Sequence, residues 1–263
     1  MPELPEVQAV AERLRAAAPW VRITGFGQFR AATVRGGRHA VGRRIEAVDR
    51  RGKNLLLRLS GGWFARVHLK MTGDLRVLPD ARLRPQTVRA WFELEDGRAV
   101  ALDDPRALGR ISLHRQQDEA DLFRDLGPEP FDPAFTAAAL AASARRTRRP
   151  AKIWLMDQAT VAGLGNIYAA EALFEAGIDP RRPAAGLSRQ RLERLHGAIT
   201  GVLELALTSV RAACERPVGF AEGEFYPVAV YGREGEPCRR CGARVRRIPQ
   251  GGRSTYYCPK CQK

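Results

Sequence analysis

The chain predicts an α+β fold: an antiparallel β-sandwich with a leading helix, then a helical region, then a small ribbon stapled by metal. Three observations carry this. Short alternating segments separated by turn residues fill the stretch from Val21 to Leu113. Apolar residues at helical spacing dominate from about 133 to 213. Near the C-terminus, Cys238 and Cys241 form one C-x2-C pair and Cys258 and Cys261 another, with sixteen residues between them.

The elements follow in order. The chain opens MPELPEV. Pro5 suits the first helical position and Glu6 the first turn, and Val7, Val10, Ala11 and Leu14 recur with helical period to about Ala18. That helix start explains Pro5 and Glu6 but not Pro2 and Glu3. Methionine ahead of proline is normally removed, which would leave the secondary amine of Pro2 as the terminus. An α-amino group titrates near 8, so roughly a tenth of it is unprotonated at pH 7, against well under ~0.1% of a lysine. A secondary amine that condenses with an aldehyde-like carbon becomes a cationic iminium, both nucleophile and electron sink. Glu3 follows where its carboxyl can serve the same atoms as an acid.

Strand candidates are 43–51, 54–59, 63–69, 88–96 and 98–104, punctuated by Ser60-Gly61-Gly62, Thr72-Gly73-Asp74 and Asp96-Gly97. Their number and spacing suggest a sandwich packed on the first helix. LGPEPFDP (126–133) reads as a linker, with Asp132 as N-cap and Pro133 opening the next helix. Helices are expected over 133–147, 150–158, 166–176 and 188–213. The loop Ala162-Gly163-Leu164-Gly165 runs into the helix at Asn166, a geometry that offers N–H groups to a phosphate and that more often merely closes a loop. The ribbon starts near Tyr226 and turns at Gly251-Gly252.

Composition bounds the function. The 263 residues can bury a sizeable core, and 44% hydrophobic with 28% charged content suits a globular protein. No apolar run is long enough to span a bilayer, and Glu3 and Glu6 stand where a signal peptide would be basic. A cytoplasmic protein is expected. The 44 Lys+Arg against 29 Asp+Glu give +15, and the pI is near 10.5. Such an excess of one sign points to a polyanionic partner. The charge is also clustered. Cys238 to Lys263 carries eight cations and no acid, and Arg145, Arg146, Arg148, Arg149 and Lys152 lie between Asp132 and Asp157 without an intervening acid. Neither stretch has the interleaved apolar face that membrane-surface binding needs.

Each C-x2-C is a knuckle able to give two thiolates to a tetrahedral zinc. Two disulfides are the alternative, disfavoured in a cytoplasmic chain. Four thiolates leave no open coordination position, so the zinc would be structural. Cys214 is left over as an ordinary half-buried thiol.

Five separated motifs occur together: MPELPEV, RRGKNLLL (50–57), HLKMTG (68–73), GLGNIYAAEAL (163–173) and VYGREG with the two cysteine pairs and GGRSTYYC between them (230–262). In this set and order, spanning nearly the whole chain, the sequence resembles bacterial formamidopyrimidine-DNA glycosylases of the endonuclease VIII superfamily. The resemblance implies a catalytic β-sandwich over 1–127, a linker over 128–134, a helix-two-turn-helix DNA-binding domain over 135–225 and a zinc finger over 226–263. It implies a monomeric base-excision-repair enzyme of the bacterial cytosol that takes damaged double-stranded DNA and needs one structural zinc and no redox cofactor. Pro2 would attack C1′ of a flipped-out nucleotide and Glu3 would protonate the opening sugar, with β- then δ-elimination cutting the strand. Lys53 and Arg253 would assist the eliminations. His68 and Asn166 would contact phosphate, while Met71 and Arg106 would fill the place of the flipped nucleotide. The zinc ligands would be Cys238, Cys241, Cys258 and Cys261.

Each side chain also has a structural reading. His68 can be a satisfied sheet histidine, Met71 core packing, Lys53 a hairpin-turn lysine, Asn166 a helix N-cap and Arg253 a solvated turn residue. A non-catalytic DNA-binding zinc protein would share the charge and the ribbon, as would an RNA-binding one, but neither needs an N-terminal amine beside an acid. The sequence also departs from the family pattern. Ala107 and Leu108 stand where Arg and Phe are common, Lys70 where Gly is usual, and Thr87 where a DNA-contacting His is frequent. The segment 208–225 is short and lacks the pattern associated with closing over 8-oxoguanine. The expectation is a preference for ring-opened purines, oxidised pyrimidines or abasic sites over 8-oxoguanine, with softened reading of the opposite base.

Overall fold

The first helix, α1 (Leu4–Ala17), buries Leu4, Val7, Val10, Ala11 and Leu14 completely. These residues form one stripe at helical spacing, and each large side chain contributes roughly 2 kcal/mol on leaving water. The computed structural model describes residues 1–18, 21–214 and 226–263. It divides into two compact units; of the described residues, one holds Met1–Arg124 with Arg211–Cys214 and the other Asp125–Val210 with Tyr226–Lys263.

In the first unit α1 packs on a sandwich of two sheets. The strands are β1 (Ile23–Gln28), β2 (Val34–Arg35), β3 (Ile45–Arg51), β4 (Asn54–Leu59), β5 (Trp63–His68), β6 (Asp74–Leu78), β7 (Val88–Leu94), β8 (Ala99–Asp103) and β9 (Arg110–Arg115). One sheet runs β1-β7-β8-β6, the other β2-β9-β5-β4-β3. The pairing is antiparallel as expected except for β2, two residues long, which lies parallel to β9. Alternation puts Leu55, Leu57, Ala65, Val67, Phe92, Val100, Leu102 and Ile111 into a single core against α1. A short α2 (Glu119–Phe123) closes the unit.

One hairpin turn positions a candidate side chain. Arg51 pairs with Asn54, so Gly52-Lys53 is a two-residue turn, and Gly52 has φ +56. A positive φ at the first central position alone is the type II′ pattern, which glycine satisfies without strain. Lys53 is thereby placed at the tip of the β3–β4 hairpin.

The second unit contains α3 (Ala137–Arg145), α4 (Ala151–Met156), α5 (Asn166–Glu175), α6 (Arg189–Cys214) and the ribbon strands β10 (Arg246–Gln250) and β11 (Arg253–Tyr257). Its core gathers Phe135, Leu140, Trp154, Leu164, Tyr168, Leu173, Leu195 and Leu203. A satellite core of Phe174, Val230, Val245 and Cys258 seats the ribbon on α5.

Two helix starts differ from expectation. Asp132 does not cap α3; its Oδ1 accepts the Ala134 N–H at 2.7 Å, and the chain makes a further turn there. Thr136 is the N-cap, its hydroxyl accepting the Ala139 N–H at 3.1 Å. The reason is tertiary: Phe135 is drawn into the core and its carbonyl is bonded by His196 Nε2, so the helix starts only after it. At the other end of the chain, α1 begins one residue earlier than Pro5, with Glu3 as N-cap. The Glu3 N–H donates to Glu6 Oε2 at 2.8 Å, and the Glu3 carboxyl accepts the Glu6 N–H. This capping box gives Glu3 a structural duty beside its expected chemical one.

Candidate active site and metal centre

Glu3 and Glu6 are both buried at the positive end of α1, and Pro2 beside them is buried as well. The capping box holds the Glu3 carboxyl against the first turn, so its position is set by the helix and not by solvent.

The β3–β4 and β4–β5 hairpins bring two further candidates together. Lys53 is only 8% exposed, which a solvated turn lysine would not be. The next residue, Asn54, is the register partner of His68 at the end of β5. His68 senses its neighbours: burial, then the cations of Lys70, Arg66 and Lys53, push its pKa down to about 4. The ring is therefore neutral near pH 7. Its Nδ1 accepts the Lys70 N–H at 3.0 Å, which leaves the proton on Nε2 as a donor. A neutral donor among cations is an arrangement suited to an anionic oxygen.

Met71 and Arg106 lie on two turns. Lys70 has φ +59 and Ala107 has φ +55, the two positive-φ residues other than glycine among the described residues. Each costs about 1 kcal/mol or more relative to glycine. The Lys70 departure from glycine thus keeps glycine's backbone conformation. Gly73 is the opposite case, since a Cβ there would meet the Leu69 carbonyl oxygen at 2.4 Å. Between the turns sits Asp104, fully buried. Its Oδ1 accepts the Thr72 hydroxyl at 2.5 Å and the Arg106 N–H at 3.2 Å; its Oδ2 accepts the Leu108 and Gly109 N–H groups at 2.6 and 2.7 Å. Leu108 is 36% exposed where an aromatic ring would offer more stacking surface.

In the second unit Asn166 is the first residue of α5 and Gly165 is the N-cap, so the capping reading of Asn166 does not hold. Its Oδ1 instead accepts from Lys152 Nζ at 2.5 Å, and its Nδ2 lies 3.4 Å from Tyr231 Oη. The ammonium fixes which way the amide faces. Lys152 is fully buried and also donates to the Ser254 carbonyl at 2.9 Å and the Thr255 hydroxyl at 2.8 Å. Those residues follow Arg253, which stands exposed at the start of β11. Gln250 pairs with Arg253 across Gly251-Gly252, whose φ values of +55 and +72 define a type I′ hairpin. A Cβ on Gly251 would meet Ile153 Cδ1 at 2.7 Å, so the tip also packs close to α4.

The four cysteine sulfurs lie within 4.8 Å of one another, with Cys238 and Cys261 at 3.9 Å and Cys241 and Cys258 at 3.5 Å. A disulfide needs about 2.05 Å. A tetrahedron with Zn–S near 2.3 Å needs sulfurs about 3.8 Å apart, and the observed pairs bracket that. The donor set fits one structural zinc. Gln262 locks the second knuckle, accepting the Cys258 N–H at 2.8 Å and donating to the Ile178 carbonyl at 2.9 Å. Glu171, buried on α5, accepts the N–H groups of Ala229, Val230 and Tyr231 at 2.7–3.0 Å and so fixes the approach to the ribbon. Burial raises its pKa while these bonds oppose the rise.

Sequence reasoning does not single out Asp104, Glu171 or Tyr231, and it meets Lys152 only as one member of a basic run. The signals are nonetheless present: Glu171 and Lys152 are lone charges in the apolar stretches IYAAEALF and AKIWLM, and Asp104 precedes a proline. The end of the 208–225 segment read as a missing lid (215–225), and the side chain of Cys214, lie outside the described residues.

A two-unit α+β protein with a buried N-terminal proline–glutamate start, a cluster of cations around a neutral histidine and a four-cysteine ribbon belongs to the class of zinc-stapled nucleic-acid proteins. Comparison with known proteins makes this specific. The formamidopyrimidine-DNA glycosylase N-terminal domain matches residues 1–111, the formamidopyrimidine-DNA glycosylase H2TH domain 126–215, and the zinc finger found in FPG and IleRS 235–263. A formamidopyrimidine-DNA glycosylase of Thermus thermophilus is 42% identical over 269 residues, covering 100% of this chain and 98% of that protein. One of Chloroflexus aurantiacus is 40% identical over 271 residues at the same coverage. The crystal structure of the Thermus thermophilus MutM (Fpg) protein superposes with TM-score 0.88 at 40% identity, covering 99% of this chain and 98% of that one. That of Lactococcus lactis Fpg with a Fapy-dG containing DNA gives 0.90 at 29% identity, covering 99% and 100%. The chain belongs to the formamidopyrimidine-DNA glycosylase family.

Proposed function

We propose that the chain is a bifunctional DNA glycosylase and abasic-site lyase that excises oxidised bases through the amine of Pro2. It acts as a monomer on damaged duplex DNA in the bacterial cytosol. The observation that carries the reading is the buried Pro2-Glu3 start of α1 in a unit that also places Lys53 beside the neutral His68.

After removal of Met1, the Pro2 nitrogen attacks C1′ of an extruded nucleotide, the base departs with the glycosidic electron pair, and the proton that the nitrogen sheds passes to the departing base. Glu3, held by its capping box, gives a proton to the sugar ring oxygen as the ring opens, and the nitrogen lone pair completes an iminium. The iminium takes up the electrons released by loss of a C2′ proton, and the resulting enamine expels the 3′ phosphate as the C3′–O bond breaks; loss of the C4′ proton drives a second elimination that expels the 5′ phosphate as the C5′–O bond breaks. Lys53 shuttles these protons. His68 through Nε2–H, Asn166 through its oriented amide and Arg253 at the hairpin tip supply phosphate donors, and Met71 and Arg106 occupy the vacated stack. Every electron stays within DNA and protein, so the sequence of steps calls for no redox cofactor. The zinc held by Cys238, Cys241, Cys258 and Cys261 supplies folding energy to the hairpin that bears Arg253. Among the described residues no helix is long and apolar enough to cross a membrane.

Borohydride reduction during turnover of an abasic duplex tests the reading. A covalent adduct mapping to Pro2, abolished by blocking the N-terminus, is expected. An adduct mapping to Lys53 or another lysine overturns the nucleophile assignment.

A further inference from the structure

Four hydrogen bonds converge on the buried carboxylate of Asp104, and they come from two different turns. Three are backbone N–H groups of its own turn, at Arg106, Leu108 and Gly109. The fourth is the Thr72 hydroxyl, 32 residues away in sequence and next to Met71. The backbone of Asp104 is tied as well, its N–H to the Thr87 carbonyl and its carbonyl to Arg89 Nε. The left-handed residues Lys70 and Ala107 fall one on each of these two turns. Strained conformations persist only where surrounding bonds over-determine them. Here one carboxylate provides that constraint for both turns at once.

We propose that Asp104 is a positioning residue that locks the Met71 turn and the Arg106 turn into one preformed wedge, with the Thr72 hydroxyl as its bond across to the Met71 turn. This rests on the reading that Met71 and Arg106 fill the place of the extruded nucleotide. Two separately mobile turns would have to be ordered during extrusion, when a base pair is also being broken. A wedge already locked avoids that ordering step. The consequence is selective. Removing a stacked, paired base from the helix depends on the wedge, whereas an abasic nucleotide has no base to unstack.

The experiment is single-turnover excision of a ring-opened purine opposite each of the four bases, run beside borohydride trapping on an abasic duplex. Thr72→Val keeps the side-chain shape and removes the cross-turn bond. It is expected to slow excision about tenfold, the rate equivalent of one hydrogen bond to a charged group, and to narrow the spread among opposite bases. Trapping on the abasic duplex stays within about twofold of the unaltered protein, and Thr72→Ser restores excision. Excision by Thr72→Val at the unaltered rate, or equal loss on both substrates, overturns the proposal. Asp104→Asn is a second variant expected to show the same selective loss. Met71→Ala and Arg106→Ala separate the two levels. If they slow excision while Thr72→Val does not, the lock is wrong and the wedge stands; if neither slows excision, the wedge reading falls and the lock with it.

Discussion

Lys152→Met offers a sharp perturbation of the second unit. The side chain is fully buried, and its ammonium donates to Asn166 Oδ1, the Ser254 carbonyl and the Thr255 hydroxyl. Methionine nearly matches the volume, so the cavity contribution is small. The polar contribution is not. Thr255 and Asn166 carry donors of their own and can re-pair in part, but the Ser254 carbonyl is left with a desolvated lone pair, at about 1–3 kcal/mol. Adding the partial loss of the other two charge-assisted bonds gives a destabilisation of about 2–4 kcal/mol for this unit. The functional effect follows from geometry. Without the ammonium the Asn166 amide can turn its oxygen outward, and β11 loses its bond to α4 immediately after Arg253. On the proposed roles of Asn166 and Arg253, two phosphate donors are weakened together. Counterion release follows the cations, so if Lys53, Arg253 and the basic runs meet at least three phosphates, log K for DNA should fall with log salt at a slope of about −3 or steeper, and the slope should shallow by about one in Lys152→Met through the weakened Arg253 contact. Thermal unfolding and a salt titration of duplex binding measure both effects. An unchanged melting temperature together with an unchanged slope would refute the reasoning.

Three other outcomes are expected. Cys258→Ser should abolish the stoichiometric zinc measured by metal analysis and weaken DNA binding while the β-sandwich stays folded; full activity without metal would count against it. His68 should make stability depend on acid: its folded pKa of about 4 lies below the unfolded 6.5, so the folded state binds fewer protons between those values. The stabilisation is fully present above pH 6.5 and is lost as pH falls toward 4, by at most about 3 kcal/mol, and His68→Gln should flatten that limb of a stability–pH curve. Ring-opened purines or oxidised pyrimidines should be excised faster than 8-oxoguanine, and the 36% exposed Leu108 should discriminate weakly among opposite bases; fastest cleavage of 8-oxoguanine opposite cytosine, with rejection opposite adenine, would reverse this.

Where the chain's own turn chemistry decides the structure, the sequence is legible. Gly52 and the Gly251-Gly252 pair announce their hairpins because few residues adopt positive φ, and the stripe Val7, Val10, Ala11, Leu14 announces a buried face. Legibility fails where two local solutions are equally good. Asp132 and Thr136 are both capping residues, and only the burial of Phe135 chooses between them. Asn166 and Gly165 compete in the same way, and Lys152 from another helix decides what the Asn166 amide does. Asp104 is out of reach for a different reason. Its bond to Thr72 spans 32 residues, and the β6–β8 pairing of Asp74 with Asp103 is what brings the two together. Register of that kind is a property of the folded sheet and leaves no local trace.

Asp104, Lys152 and Glu171 share a design. Each is a fully buried charged side chain bonded to a segment that carries a proposed site residue or touches one: the Met71 and Arg106 turns, the start of α5 with the Arg253 hairpin, and the segment of Tyr231, whose hydroxyl lies near the Asn166 amide. Burying a charge costs several kcal/mol unless its bonds are well made, so none of these is the cheapest way to stabilise a core. An apolar residue of the same size would pack as well, but it could not tell one backbone orientation from another. A carboxylate with three or four donors, or an ammonium with three acceptors, is satisfied in only one arrangement of the segments around it. A site that handles a flexible polyanion must carry its cations on turns, where they can reach phosphate, and turns are the least rigid part of a fold. The buried charges resolve that conflict by fixing each turn from behind, where neither solvent nor DNA competes for the same hydrogen bonds.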